Sequence, residues 1–347
     1  MKILNEGRCA MKTKWYFFFL TMIAVSAILY AWLGIQEEDS VEIGILMIGE
    51  NRYEKFTGLQ EGIDDLGYSR QEVQYRVMNA KDDEERLSKQ IDQLLIEEPD
   101  LIVTLGGIET QSLKKKMDQQ HKQIPVVFAG IAAPKELGLI EDYMSPGGLF
   151  TGINNYHESI SGKRLEMLTA LVPEIERVHV LFDSKIEVSK QSLQETKAAA
   201  MTLGVPVVPC DASSNECLDT LWKSARKQDA ILVLPSFRIE SLTEKIVNLT
   251  EEKKIPAMGL YDFEAEKGLL ASYGASFRSQ GYQASRFVSL ILQGNKPADL
   301  PVELPDGIRF VINQQTKDSL GVTYNQDLLY IADLIHPEAE AQGGRKR

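Results

Sequence analysis

Chemistry in a folded chain needs side chains of matched type within reach of one another, so the scarce reactive residues come first. The 347-residue sequence holds four histidines, His121, His157, His179 and His336, none paired with another at metal-ligand spacing. His179 lies within an apolar run, where a structural role is expected. There is no G-x-S-x-G elbow, no H-E-x-x-H and no Walker loop. LGGIET (105–110) follows an apolar run and opens a helical stretch. Its backbone N–H groups could hold an anion, and a plain glycine turn reads equally well. Three cysteines, Cys9, Cys210 and Cys217, are too few for a disulfide scaffold or a structural zinc site. Cys210 and Cys217 form either a local bridge or two thiols. No catalytic residue, metal site or cofactor is expected, because nucleophile, base and ligand sets are all missing.

What remains is a set of polar and aromatic residues just past short apolar runs. In the first half these are Glu50, Asn51, Arg52 and Tyr53, then Gly106, Gly107 and Thr110, then Ala132, then Asn154 and Asn155. In the second half they are Asp183 and Glu187, then Ser236, Phe237 and Arg238, then Tyr261 and Asp262. These types suit recognition rather than reaction. Tyr53, Phe237 and Tyr261 offer flat rings to an apolar or aromatic group. Arg52 or Arg238 offers a bidentate fork to a carboxylate, and Glu50, Glu187 or Asp262 a partner to an ammonium. Tyr156 and His157 sit beside an expected crossover, where hinge packing is the expected role.

The elements that must position these residues alternate in type. Apolar β-rich runs fall at 41–48, 73–80, 100–106, 124–130 and 151–155, with helical spacing between them, as in Leu87, Ile91, Leu94 and Leu95. The pattern restarts with helices at 159–171, 187–203, 215–227 and 239–253, and strands at 177–183, 205–210, 230–235 and 255–260. A strand at 269–274 and a helix at 279–293 follow. Such alternation means βαβ units, hence an α/β fold of two lobes with parallel sheets and helices on both faces. Ligands in such folds bind outside the carboxyl ends of the strands, so the cleft is expected where the two edges face each other.

Composition bounds the function class. With 44% hydrophobic and 25% charged residues the chain is globular, and a net charge of −12 argues against nucleic acid as a partner. The average hides two unlike parts. Residues 1–14 carry Lys2, Arg8, Lys12 and Lys14 against Glu6, and 15–35 hold no charge. At about 1.5 Å per residue the latter spans a bilayer core of roughly 30 Å. Its basic flank places the N-terminus in the cytoplasm and the rest outside. The expected organisation is a cytoplasmic stub (1–14), a transmembrane anchor or cleaved signal segment (15–35), two lobes and a disordered tail (336–347).

Eight segments, taken in order, resemble one family. They are GLQEGIDDLGY (58–68), YRVMNAKDD (75–83), EEPDLIVTLG (97–106), IPVVFAGIAAPKELGLI (124–140), PGGLFTGI (146–153), GKRLEMLTALVPEIERVHVLFD (162–183), ILQGNKPADLPVE (291–303) and FVINQQTKDSLGV (310–322). Over 41–333 the chain is similar to the tryptophan/tyrosine-type substrate-binding proteins of ABC transporters, a branch of the type 1 periplasmic-binding fold. That resemblance implies lobes of 41–153 plus 271–293 and of 154–270 plus 303–335, joined by three crossovers and closing like a hinge on a small ligand. It implies presentation of an amino-acid-like or other small organic molecule to an ABC permease. The rival reading is a tethered ligand sensor docking on a membrane receptor, kinase or cyclase. Several positions depart from the family pattern. The loop IGENRY (48–53) lacks the usual acidic-histidine pair, Ala133-Pro134 replaces Asp-Pro, and Leu149 replaces an Asn. Glu187-Val188-Ser189 stands for Glu-x-Asn-Ser, and Ser236 for an Asp. These changes remove carboxylates and a histidine that a cationic or zwitterionic ligand would use.

Overall fold

The computed structural model describes Met22, residues 40–214 and residues 216–337. The stub, the 15–35 span apart from Met22, Cys9 and residues 338–347 lie outside the described residues. Among the described residues no helix is long and apolar enough to cross a membrane. Val41 and the 69–74 turn form a small unit, in which the Val41 N–H donates to the Glu72 carbonyl at 2.8 Å. Residues 42–68 and those from 75 onward form the body.

Five strands build the first sheet: β1 (Val41–Met47), β2 (Val73–Asn79), β3 (Leu101–Thr104), β4 (Val126–Ile131) and β5 (Phe150–Asn154), in the order β2-β1-β3-β4-β5. Helices α1 (Tyr53–Asp65), α2 (Glu84–Glu97) and α3 (Gly107–Gln120) connect them. β1–β3, β3–β4 and β4–β5 pair in parallel. β1, β3, β4 and β5 are buried along nearly their whole length, which is why they read as unbroken apolar runs rather than alternating ones. The α2 stripe of Leu87, Ile91, Leu94 and Leu95 closes one face of this core, as its spacing required.

The second part runs α4 (Ser161–Leu171), β6 (Arg177–Phe182), α5 (Glu187–Leu203), β7 (Val207–Asp211), α6 (Glu216–Ser224) and β8 (Asp229–Val233). It continues through α7 (Phe237–Glu240), α8 (Thr243–Lys253), β9 (Ala257–Gly259), α9 (Asp262–Glu266), β10 (Ala271–Gly274) and α10 (Phe277–Leu292). β11 (Arg309–Asn313), α11 (Gln314–Leu320), α12 (Gln326–Ile331) and β12 (Asp333–Ile335) end it. The sheet order is β12-β11-β10-β9-β8-β6-β7.

Three features differ from the sequence reading. The expected first-lobe span opened at residue 271, yet β10 pairs in parallel with β9 and belongs to the second sheet. The following α10 does pack against α1, β4 and β5 of the first. Its close approach to α1 rests on glycines: a Cβ on Gly281 would lie 1.8 Å from the Lys55 carbonyl oxygen. Because the chain re-enters the second sheet from the other lobe, β11 runs antiparallel to β10, so that sheet is not wholly parallel. The single helix expected over 239–253 is two. Ser241 Oγ donates to the Arg238 carbonyl and Thr243 Oγ1 to the Glu240 carbonyl, both at 2.7 Å, which breaks the helix between them.

Candidate functional site

The carboxyl ends of both sheets face a cleft of about 550 Å³. Each wall is made by residues within five positions of a strand's end. Arg52 closes a 3-10 turn after β1, Gly106 and Gly107 follow β3, Ala132 follows β4, and Asn155 follows β5. From the second lobe come Asp183 after β6, Ser236, Phe237 and Arg238 after β8, and Tyr261 after β9. Ten of the expected residues thus line one space.

The rest turn elsewhere. Glu50 accepts from Asn79 Nδ2 at 3.0 Å on the surface, and Tyr53 is largely exposed. Thr110 is buried against Thr104 Oγ1 at 2.7 Å, and Asn154 accepts the Tyr156 N–H. Glu187 pairs with Lys190, and Asp262 with Arg309. Asn51 accepts from Lys267 Nζ at 3.3 Å, a contact from lobe to lobe.

Three charged residues at or just behind the cleft wall escaped the sequence reading. Lys55, in the first turn of α1, lines it and donates to the Ala129 and Gly130 carbonyls at 2.7 and 3.0 Å. Glu109, in the first turn of α3, is fully buried, and its Oε1 accepts the Ile48 N–H at 2.8 Å. Glu240, at the end of α7, lines the cleft opposite Arg52. A lysine or glutamate in a helical first turn reads as a solvated face, and nothing in spacing shows that the lobes meet over it. The one signal was proximity in sequence to the strand ends already singled out.

The charges are arranged as a cluster. Arg52 Nη2 lies 2.8 Å from Glu240 Oε2, and Arg52 Nε lies 3.8 Å from Glu109 Oε1. The guanidinium carbon stands 4.9 Å from the Phe277 ring centroid, and Lys55 Nζ 4.8 Å from it. Burial opposes the Arg52 charge, but the Glu240 and Glu109 carboxylates outweigh it and push the guanidinium pKa upward. Burial, with the Arg52 charge, drives the Lys55 ammonium well below its usual value. Burial also raises the Glu240 carboxyl, against the pull of Arg52 and Lys55. Asp183 is held ready by its neighbours: Ser236 Oγ and the Lys185 N–H donate to its two oxygens, each at 3.0 Å.

Behind the cleft lies the crossover. His157 is buried with Nδ1 3.1 Å from Arg164 Nη2, and its ring meets Tyr261 edge-on at 4.7 Å. Arg164 Nε donates to the Tyr273 carbonyl, tying α4 to β10. Burial, then the Arg164 charge, drives His157 well below its ordinary value, so the ring is neutral. Glu264 is buried nearby, its Oε2 accepting the Leu260 and Tyr261 N–H groups at 2.6 and 2.9 Å. Cys210 and Cys217 are bridged, Cα–Cα 5.5 Å, and neither lines the cleft. Among the described residues no group of three or more His, Cys, Asp or Glu is placed to hold a metal ion. The cleft lining presents charged and aromatic groups side by side.

Residues 40–335 match the family of ABC transporter substrate binding proteins. The chain belongs to this family. One relative, from Clostridioides difficile and called a tyrosine-binding protein, is 24% identical over 265 residues, 76% of this chain and 75% of its own. Among solved structures, an ABC domain from Streptococcus pneumonia in complex with L-Trp is 25% identical, with TM-score 0.77, over 86% of this chain and all of that one. A ligand-free, open substrate binding protein with adhesive properties from Clostridium difficile shares the fold at 20% identity and TM-score 0.64, over 85% and 99%. The tryptophan/tyrosine-type resemblance read from the sequence agrees with the names these relatives carry.

Proposed function

We propose that this chain is an extracytoplasmic substrate-binding protein whose two lobes close on one small, charged, ring-bearing molecule of the aromatic amino acid class, for delivery to an ABC permease. The observation that carries this is the cleft itself. Its volume lies within the range of roughly 300–1,000 Å³ usual for small-molecule sites. Arg52 and Arg238, Asp183 and Glu240, and Phe237 and Tyr261 all line it. Both halves of a zwitterion and a flat ring would find partners there. The carboxylates lost from the family's loop positions are offset by Glu240, which arrives from a helix instead. The ligands of the two relatives support the same class. The lobes we assign as 41–155 with α10, and 156–274 with β11 to β12. The uncharged 15–35 span is proposed to tether the chain or direct its export.

A thermal-shift panel of the full-length chain against the twenty amino acids and their decarboxylated amines tests this. Stabilisation by L-tryptophan or L-tyrosine, and not by tryptamine or tyramine, is expected. A panel with no stabilising amino acid sinks the ligand class.

A further inference from the structure

Receptors that close like a hinge are ordinarily open until a ligand supplies the contacts between half-sites. Here the chain supplies such a contact from its own atoms. Arg52 belongs to the first lobe, on the turn after β1, and Glu240 to the second, at the end of α7. Their side chains are 6% and 8% exposed and meet at 2.8 Å. Nη2 carries that contact, while Arg52 Nε and Nη1 are buried with no hydrogen-bond partner among the described residues. Glu109 cannot replace Glu240, since its nearer oxygen stays 3.8 Å from Nε and is committed to the Ile48 N–H. A second cross-lobe contact lies beside the first: Phe237, three residues before Glu240, packs its ring on the first-lobe core.

We infer that the Arg52–Glu240 pair is a resident latch, which holds the lobes together without a ligand and which a ligand must displace to reach Arg52. The guanidinium is preorganised for this by Phe277 beneath it and Glu109 beside it, so little side-chain freedom is lost on latching. Opening would strip Arg52 of its one hydrogen-bonded carboxylate. A close, desolvated charge pair between two bodies couples them strongly enough to shift an equilibrium on the order of tenfold or more. The inference deepens the proposed function and rests on its moving cleft, but the test needs no ligand and is therefore independent of which molecule binds.

Met144, in the β4–β5 connection, and Met201, on α5, are exposed on different lobes. Spin labels at Met144→Cys and Met201→Cys in a full-length Cys9→Ser chain report the lobe separation by pulsed electron resonance. Ligand-free, the latched chain should show the separation these positions have in the structure. Glu240→Gln or Glu240→Ala should raise the population at longer distance by about tenfold or more. The swapped pair, Arg52→Glu with Glu240→Arg, should restore the short one. A predominantly long distance in the ligand-free parent chain overturns the latch, whether or not the variants fold. So does an unchanged distribution in folded Glu240 variants.

Discussion

Replacing Glu264 with Gln should flatten the pH dependence of stability between about pH 4.5 and 7. The carboxyl is 1% exposed, with Oε1 lacking any hydrogen-bond partner. Burial, then the nearby Glu240 charge, lifts it from the ordinary 4.5 to about 7, against the Leu260 and Tyr261 N–H groups that favour its ionised form. A carboxyl whose folded-state pKa lies above its unfolded one binds more protons when folded. Its penalty is absent below pH 4.5, grows as pH rises, and is complete above pH 7. A shift from 4.5 to about 7, at about 1.4 kcal/mol per unit, amounts to about 3 kcal/mol lost across the window. Glutamine keeps an acceptor for the two N–H groups and cannot ionise. Any cost of the exchange itself is independent of pH, so the slope is the readout. His157, buried and neutral, contributes the opposite slope over part of the same range, and Glu240 the same slope as Glu264. His157 is common to parent and variant and cancels in the difference, while Glu240, freed of the Glu264 charge in the variant, is raised less there and adds to the gain. Urea unfolding of the full-length chain at pH 5 and pH 8 measures it. The variant should gain about 2–3 kcal/mol relative to the parent between the two values. An equal change in both would show that Glu264 is ionised throughout and that the reasoning from burial is wrong.

Three further variants follow from the geometry. Gly130 has φ +82° and faces Gln280, whose Oε1 lies 1.7 Å from where a Cβ would stand, so Gly130→Ala should cost about 2–3 kcal/mol in urea unfolding; a loss under 1 kcal/mol would contradict that packing. Asp229 accepts from Arg177 Nε at 3.0 Å, the Arg226 N–H at 2.8 Å and faces His179 Nε2 at 3.1 Å, so Asp229→Ala should cost about 3 kcal/mol at pH 7. Its carboxyl is held below the usual range by Arg177 and these donors despite burial, so its contribution should fade as pH drops below 4. Removing the bridge with Cys210→Ser and Cys217→Ser should lower stability by about 2 kcal/mol, as expected for so short a loop, and leave ligand binding unchanged. A loss of binding would tie the bridge to the cleft.

The α/β architecture was legible because buried parallel strands are continuous apolar runs and the helices between them keep an apolar stripe. β12 was not, since Asp333, Leu334 and Ile335 are too few to show a period and pair only at the sheet's edge. Nor was the break at Ser241, where two hydroxyls compete for helical carbonyls. Strand ends located the site, and ten of the residues named from position line it. Direction was beyond reach: Thr110 follows the same strand as Gly106 and Gly107, yet its hydroxyl turns back to Thr104. The acid–base cluster depends on two lobes meeting, a long-range fact that leaves no local mark on Lys55, Glu109 or Glu240. The 24–25% identity to relatives carries the fold and says nothing of single site residues, so Arg52 had to be read from its own surroundings.

Calorimetric titration of the full-length chain with L-tryptophan and L-tyrosine, repeated for Asn155→Ala in the first lobe and Phe237→Ala in the second, tests the central claim most directly. Saturable one-to-one binding of at least one amino acid, weakened about tenfold or more by either substitution, is the expected result. No heat with either amino acid, or binding that both substitutions leave intact, would contradict a two-lobed site at this cleft.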